Sequence, residues 1–537
     1  MLPRRDRPAP PTRLWAVVER VRVIDWLAAR HWGLRTAAAV VAGLLAALGF
    51  QPFGWWPLVP VGVAGLTICV LAARRVRGAA GLGLAFGIGL LLLGIGWMQV
   101  IFVQAMVGLV LVEALFYALL GALLKVASRT PLWPLLGAAC WTAIEFTFAR
   151  FPFNGFGWMR IGYAMVDSPL AWVLPLVGVS GLGLATALLG QGLAWLTTSV
   201  TRRRLAVAGA AVAALALLAA AGTLVPAGAA GAPVAVGYVQ GGAPGGGVYG
   251  LGPARTITRN QAAQTAHLAE RVDAGELPAP DFVVWPENST DLDPFHDAET
   301  RQLVSAAVAR AGVPVLVGTI LNGPGAQERQ TASLWWDPER GELGRYIKRG
   351  IVPFGEWVPL RSLLLPLIPE LAYVGAQSVP GERPGAMAVE LAGGRATTLG
   401  LLVCYDLVFD DFAYDTVRAG GRLLVVQSSN AMYQGTGQID QQFAITRARA
   451  MELRREILVV TTSGVSGLIR ADGTVEFTAP EHVGAAGVVE LPERTGLTPA
   501  TWLAPGLELA VVLLALAGLG LSVRYGRMGG SAPRAGD

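Results

Sequence analysis

The run Arg422-Leu-Leu-Val-Val-Gln427 carries four aliphatic side chains in succession. A strand covered on both faces has that pattern, because neither of its alternating sides meets water. Comparable runs stand at Val234–Gln240, Asp281–Trp285, Val313–Ile320, Leu399–Cys404 and Ile457–Thr462. Between them, Arg255–Asp273, Asp297–Ala311, Asp411–Ala419 and Ile439–Leu453 read as helices. The alternation predicts an α/β layered domain over residues 231–503. Pro226–Pro233 and Gly241–Pro253, rich in Gly, Pro and Ala, read as a linker and a mobile loop.

The flanking sequence is of another kind. Of 537 residues, 53% are hydrophobic and only 15% charged, against about a quarter charged in soluble domains. A helix crosses roughly 30 Å of hydrocarbon with about 20 apolar residues. Seven candidate spans lie near 35–51, 55–73, 79–100, 104–126, 131–149, 169–199 and 205–224, and an eighth near 504–523. The chain therefore divides into an N-terminal segment (1–34), a seven-helix membrane domain (35–224), the soluble domain, a C-terminal span (504–523) and a tail (524–537). The first two spans are short and flanked by Pro and Gly, so a hairpin is the alternative there.

Arginine placement predicts the orientation, since positively charged loops stay cytoplasmic. Arg4, Arg5, Arg7, Arg13, Arg20, Arg22 and Arg30 precede the first span; Arg74, Arg75, Arg77, Lys125, Arg129, Arg202, Arg203, Arg204, Arg524 and Arg527 fall in the even-numbered connections and the tail. The opposite connections carry only Arg150 and Arg160. Both termini are thus expected inside and residues 231–503 outside, with the first span retained as an anchor. The net charge of +5 comes from these clusters, and no nucleic-acid-binding pattern accompanies it; the partner it implies is a bilayer.

Three cysteines and four histidines leave little for a disulfide framework or a His-based metal site. Cys404 is the only cysteine of the outer domain, at the carboxyl edge of the strand run Leu399–Val403, where α/β sheets present their sites. Position alone leaves it open between nucleophile and buried small hydrophobe. A thiol needs a base. Glu287, in Trp285-Pro286-Glu287, projects from a strand end where partial burial would tune a carboxylate for that task. Lysine stands only at Lys125 and Lys348 among 42 basic residues. A surface cation in this chain is written Arg, so Lys348 reads as a point charge retained for chemistry, such as holding an oxyanion.

At Trp285-Pro286-Glu287, at Lys348 followed by Val352-Pro-Phe-Gly-Glu356, and at Cys404-Tyr405 the sequence resembles the carbon–nitrogen hydrolase (nitrilase) superfamily, whose Glu–Lys–Cys triad runs in this order. With seven spans before and one after, it looks like the apolipoprotein N-acyltransferase family from about residue 35 to 525. The resemblance implies a polytopic α-helical membrane protein with an extracytoplasmic αββα sandwich, in a bacterial cell membrane. It further implies Glu287 as general base, Lys348 as oxyanion stabiliser and Cys404 as nucleophile. Trp285, Glu356, Tyr405 and Asp406 would support or bind substrate, with no metal and no cofactor. Three positions depart from the family's pattern: Asp406 stands where Glu is usual, Thr331 where Asn is usual, and Met432-Tyr433-Gln434-Gly435 where a Trp-Phe-Gly segment is usual.

The implied reaction moves an acyl group from a phospholipid donor, through a Cys thioester, to the α-amine of a diacylglyceryl-modified apolipoprotein. The alternatives are a membrane-tethered amidase with water as acceptor, and a non-enzymatic scaffold for a polyprenol-phosphate mannose synthase. Trp357–Glu370, apolar and proline-broken, is either a lipid-facing lid or a core segment. Glu145 is expected at the outer interface, with a headgroup cavity as the alternative, and Asp291-Leu-Asp293 is assigned no metal.

Overall fold

A computed structural model describes residues 23–529. Arg4, Arg5, Arg7, Arg13, Arg20 and Arg22, which bear on the expected orientation, lie outside the described residues, as do the side chain of Arg527 and the chain beyond 529. The expected apolar segments form α1 (Trp32–Ala47), α2 (Leu58–Ala72), α3 (Val76–Gly94), α4 (Val103–Ala127), α5 (Trp133–Phe148), α6 (Leu174–Thr198) and α7 (Arg202–Thr223).

Fewer of them meet the length criterion than expected. Among the described residues five helices are long and apolar enough to cross a bilayer: Val76–Gly94, Val103–Ala127, Pro169–Thr198, Arg202–Thr223 and Ala500–Arg524. Helices α1, α2 and α5 have 16, 15 and 16 residues, about 24 Å of rise. The apolar windows in the sequence counted turn residues such as Gly49–Gln51, where the helix has already ended. Small residues let these helices approach closely: a Cβ at Gly43 would strike the Phe86 carbonyl, and one at Gly83 the Tyr117 carbonyl.

The soluble domain holds two sheets. The first has the order β13-β1-β2-β3-β4-β5, from β1 (Ala230–Gln240), β2 (Phe282–Val284), β3 (Val315–Asn322), β4 (Glu328–Asp337), β5 (Gly341–Ile347) and β13 (Ala485–Arg494), with β6 (Gln377–Ser378) beside β4. The second has the order β12-β11-β10-β9-β8-β7, from β7 (Ala386–Glu390), β8 (Ala396–Val403), β9 (Leu423–Ser428), β10 (Ile457–Thr461), β11 (Gly467–Ile469) and β12 (Val475–Thr478). Strands β1–β2–β3 and β8–β9–β10 are parallel. Every residue of β9 is buried, as its aliphatic run requires. The expected linker is shorter than its composition suggested, because Ala230 and Pro233 already pair with Arg494 and Pro492.

Packing explains both faces of each sheet. Val236, Phe282, Val284 and Trp335 of the first share one core with Leu399, Leu401, Val403 and Val425 of the second. Helices α8 (Thr256–Asp273) and α9 (Ala298–Ala311) cover the first sheet through Leu268, Val304 and Val308. Helices α10 (Asp410–Arg418) and α11 (Gly437–Leu453) lie on the second, and there Leu402, Leu424 and Val426 belong to the same apolar cluster as the membrane helices. The last helix, α12 (Ala500–Gly529), returns to the bundle and packs on α5 and α6.

A buried polar network fastens the two parts. Arg160, 2% exposed, donates to both carboxylate oxygens of Asp410 at 2.9 Å and to Ser180 at 2.6 Å. Arg449 donates to Asp410 at 2.6 Å and pairs with Glu452. Burial acts to raise the Asp410 carboxyl, but Arg160 and Arg449 outweigh it and hold the group below the usual carboxylate range. Glu508 of α12 accepts from Ser180 at 2.7 Å and from Arg150 at 2.7 Å. Helix α6 breaks at Gly178, whose φ is 69°, and the freed amide of Val179 donates to Glu452 at 3.0 Å. A Cβ at Gly178 would meet Tyr414 and Glu452, so both the positive φ and the close approach require glycine there.

Candidate active site

Glu287, Lys348 and Cys404 each sit just past the carboxyl end of a strand. Strand β2 ends at Val284; Trp285 is fully buried and its indole donates to Thr265 at 2.9 Å. Pro286 then halts the ladder, and Glu287 turns inward, 3% exposed. Gly318 of β3 makes room for that turn, since a Cβ there would collide with the Pro286 carbonyl. Lys348 directly follows β5 and is 1% exposed. Its Nζ donates to Glu287 Oε1 at 2.9 Å and to both oxygens of Glu356 at 3.0 Å. Glu356 also accepts from the Val352 amide at 2.8 Å, and Glu287 from the Ser429 amide at 3.0 Å.

Cys404 follows β8 on a sharp elbow with φ of 49°. A non-glycine residue in the left-handed region stores strain of about 1–3 kcal/mol, which surrounding contacts must offset. Asp406 supplies them: it accepts from the Val403 amide at 2.9 Å, the Gly350 amide at 2.6 Å and the Tyr346 hydroxyl at 2.9 Å. Although a methylene shorter than Glu, it reaches both the elbow and the loop after Lys348. Burial raises its carboxyl, with Lys348 and these donors working against burial. Tyr405 points the other way, to the Gly155 carbonyl at 3.1 Å, its ring against Phe156 and Trp158.

Electrostatics separate the roles these groups can take. Burial pushes the Cys404 thiol up to about 12, the Glu287 charge adds to that, and Lys348 opposes it. Burial likewise raises the Glu287 carboxyl, with Lys348 opposing. Burial alone would lower the Lys348 ammonium, but Glu287 and Glu356 carry it well above its ordinary value. The cluster thus holds a protonated thiol, a carboxylate able to take its proton, and a fixed cation.

Other members of the cluster escaped the sequence reading. Gln442 of α11 places Nε2 3.5 Å from Cys404 Sγ, and its Oε1 accepts from Ser428 at 3.1 Å. The single hydroxyl hydrogen of Ser428 is shared between that oxygen and Asn430 Oδ1, 2.9 Å away. The signal for Ser428 and Asn430 is the abrupt change from Leu423–Val426 to Gln427-Ser-Ser-Asn430 at a strand end; Gln442 carries none.

Two expectations are corrected or refined. Glu145 does not reach the outer interface; it is 3% exposed and accepts from the Ile161 amide at 2.8 Å and the Trp141 indole at 3.3 Å, because the 150–168 connection folds inward over it. Trp357–Glu370 is not a core segment, as Leu360, Leu363 and Leu367 are 60%, 60% and 71% exposed. Asp291 and Asp293 accept backbone amides of Arg255, Phe295 and Asn322, a structural use.

Comparison with known proteins adds the following. Residues 42–191 match the family described as apolipoprotein N-acyltransferase N-terminal domain, and residues 249–486 match carbon-nitrogen hydrolase. The chain is 30% identical to an apolipoprotein N-acyltransferase of Mycolicibacterium smegmatis over 93% of this chain and 86% of that one. It is 27% identical to one of Photobacterium profundum, over 87% and 91%. Among solved structures, an amidase from Nesterenkonia is 18% identical over 50% of this chain and 94% of that one, with a TM-score of 0.35.

Proposed function

Because the chain belongs to the apolipoprotein N-acyltransferase family, we propose that it moves a fatty acyl group from a phospholipid, through a thioester on Cys404, to the N-terminal amine of a diacylglyceryl-modified apolipoprotein. The observation that carries this reading is Lys348 gripped by two carboxylates at 2.9–3.0 Å, in a cluster whose charges act on Cys404. Glu287 takes the thiol proton as Sγ attacks the donor ester carbonyl. Lys348 and a backbone N–H near Cys404 hold the oxyanion. Collapse breaks the ester C–O bond, and Glu287 returns the proton to the departing lysophospholipid. The acceptor amine then attacks the thioester, Glu287 takes its proton, and collapse releases the amide while the thiolate is reprotonated.

Burial holds the Cys404 thiol above its ordinary value, so attack calls for a base to take its proton. Anchoring places both bilayer-borne substrates near one nucleophile. In this reading eight spans hold a four-layer αββα domain, residues 231–503, on the extracytoplasmic side, and the exposed leucines of Trp357–Glu370 form an arm that meets the lipid.

Mass spectrometry of the purified protein with phosphatidylethanolamine tests it. A fatty acyl adduct on Cys404 that is discharged onto a diacylglyceryl peptide is the expected result. An adduct discharged only to water favours the amidase reading. No adduct, with Cys404→Ala equal to wild type in lipoprotein N-acylation, overturns the proposal and leaves the scaffold for a polyprenol-phosphate mannose synthase.

A further inference from the structure

Two cavities adjoin where the chain passes between the soluble domain and the membrane helices. One, of about 310 Å³, is apolar, lined by Ala221, Leu224, Val225, Pro226, Leu497 and Pro499. The other, of about 270 Å³, is lined by Arg422, Arg455 and Arg494 with Thr398 and Thr495. Thr495 lines the second and Gly496 the first. Hydrogen bonds tie the walls together: Arg455 donates to the Gly496 carbonyl at 2.8 Å and Arg494 to the Gly228 carbonyl at 3.0 Å.

The arginine cavity is short of negative charge. Arg455 is 2% exposed, spends its terminal nitrogens on backbone carbonyls, and has no acceptor for Nε. Among the described residues neither Arg455 nor Arg422 has a carboxylate in salt-bridge reach; Glu456 is held by Arg494 at 2.6 and 2.7 Å, and Glu493 lies against Gly231. Burial, with Arg494 beside it, pushes the Arg455 guanidinium down to about 10, and Glu456, engaged by Arg494, only partly opposes them. Helix α7 ends at Thr223 and α12 begins at Ala500, so the apolar cavity sits at the soluble-domain ends of these two long apolar helices, near the exposed Trp502, with the arginine cavity next to it through Thr495 and Gly496. Thr398 and Arg422 stand at the amino ends of β8 and β9, about 20 Å of strand from Cys404 and Ser428.

We propose that the Arg422–Arg455–Arg494 cavity binds the phosphate of an anionic phospholipid whose acyl chain lies along the adjoining apolar cavity, a site separate from that of Cys404. Guanidinium groups match phosphate oxygens in geometry and charge, and a lipid satisfies both cavities where free phosphate fills one.

Native mass spectrometry of the full chain in detergent tests this, with dioleoylphosphatidylglycerol, dioleoylglycerol and inorganic phosphate as probes. The phosphatidylglycerol adduct is expected to persist and the phosphate-free diacylglycerol to be lost. Arg422→Ala, at an exposed position, should hold one phosphatidylglycerol fewer, its retention falling about tenfold. Leu497→Asp should do the same without changing retention of inorganic phosphate. Binding of inorganic phosphate as strong as that of the lipid overturns the lipid source. Lipid retention by both variants equal to wild type overturns the site.

Discussion

The side-chain amide of Gln442 stands 3.5 Å from the sulfur of Cys404 while its own oxygen is held by Ser428. The donor is thereby oriented toward the thiol, on a helix whose next turns reach Arg449 and Glu452. Gln442→Leu removes the donor at similar volume. Acylation of Cys404 in a single turnover should slow about fivefold to tenfold, the worth of one hydrogen bond, with the melting temperature little changed. An unchanged rate would mean the contact is structural.

Lys348→Met should abolish thioester formation and destabilise the domain by about 3–5 kcal/mol, because Glu287 and Glu356 are then left buried beside each other. Lys348→Arg should fail to restore activity, since a planar fork does not fit a pocket built for one point charge. Denaturant unfolding and single-turnover acylation check the two halves separately.

The pH dependence follows from the raised carboxyl of Glu287. As pH falls through that value the base becomes protonated and acylation slows, so the acid limb of the rate profile should lie above the ordinary glutamate range. Glu287→Gln should remove that limb together with most of the rate. A limb at the ordinary value would show that Glu287 is not the base. In stability the sign is opposite: a carboxyl raised in the folded state favours folding most when protonated, and its contribution weakens as pH rises through the folded value.

Asp406→Asn keeps the shape of the clamp but turns an amide N–H toward one of three donors. The expected cost is about 1–3 kcal/mol, with a larger loss in acylation, because the Cys404 elbow depends on it. Asp406→Glu should not improve the enzyme either. Gly350 already lies against the Asp406 carboxylate, and an added methylene overpacks that contact. Thermal unfolding alongside acylation rates tests both variants.

Leu363→Ser with Leu367→Ser, both at exposed positions, should lower turnover on phospholipid vesicles several-fold and leave turnover of a water-soluble short-chain ester unchanged. Equal effects on the two substrates would sink the idea of a lipid-facing arm.

Much of this was legible in the chain itself. Buried parallel strands announce themselves as unbroken aliphatic runs, and Leu399–Val403 led directly to Cys404. Of the strands left unread, β12 with exposed Val475 and Glu476 is an edge element whose composition resembles a loop, whereas β4 and β11 lie inside their sheets, where pairing on both sides decides the conformation. The lengths of the short helices were less legible, because an apolar window does not register where a turn begins. By sequence position Arg160 is one of two cations in the connections expected outside, whereas it is buried on Asp410, a partner 250 residues away. Gln442 is opaque for the same reason, and Asp406, placed at the site by its motif, is opaque only in its partners: local pattern does not encode which distant backbone amide or thiol a side chain meets.

The break in α6 bears on how the protein is made. The amide freed at Val179 finds its acceptor in Glu452, 273 residues later. A ribosome that has released only the first seven helices has therefore inserted a bundle with an unmet donor in its interior. Final assembly of that bundle waits until the later domain has been synthesised and folded back onto it, so early and late segments of one chain mature as a single unit.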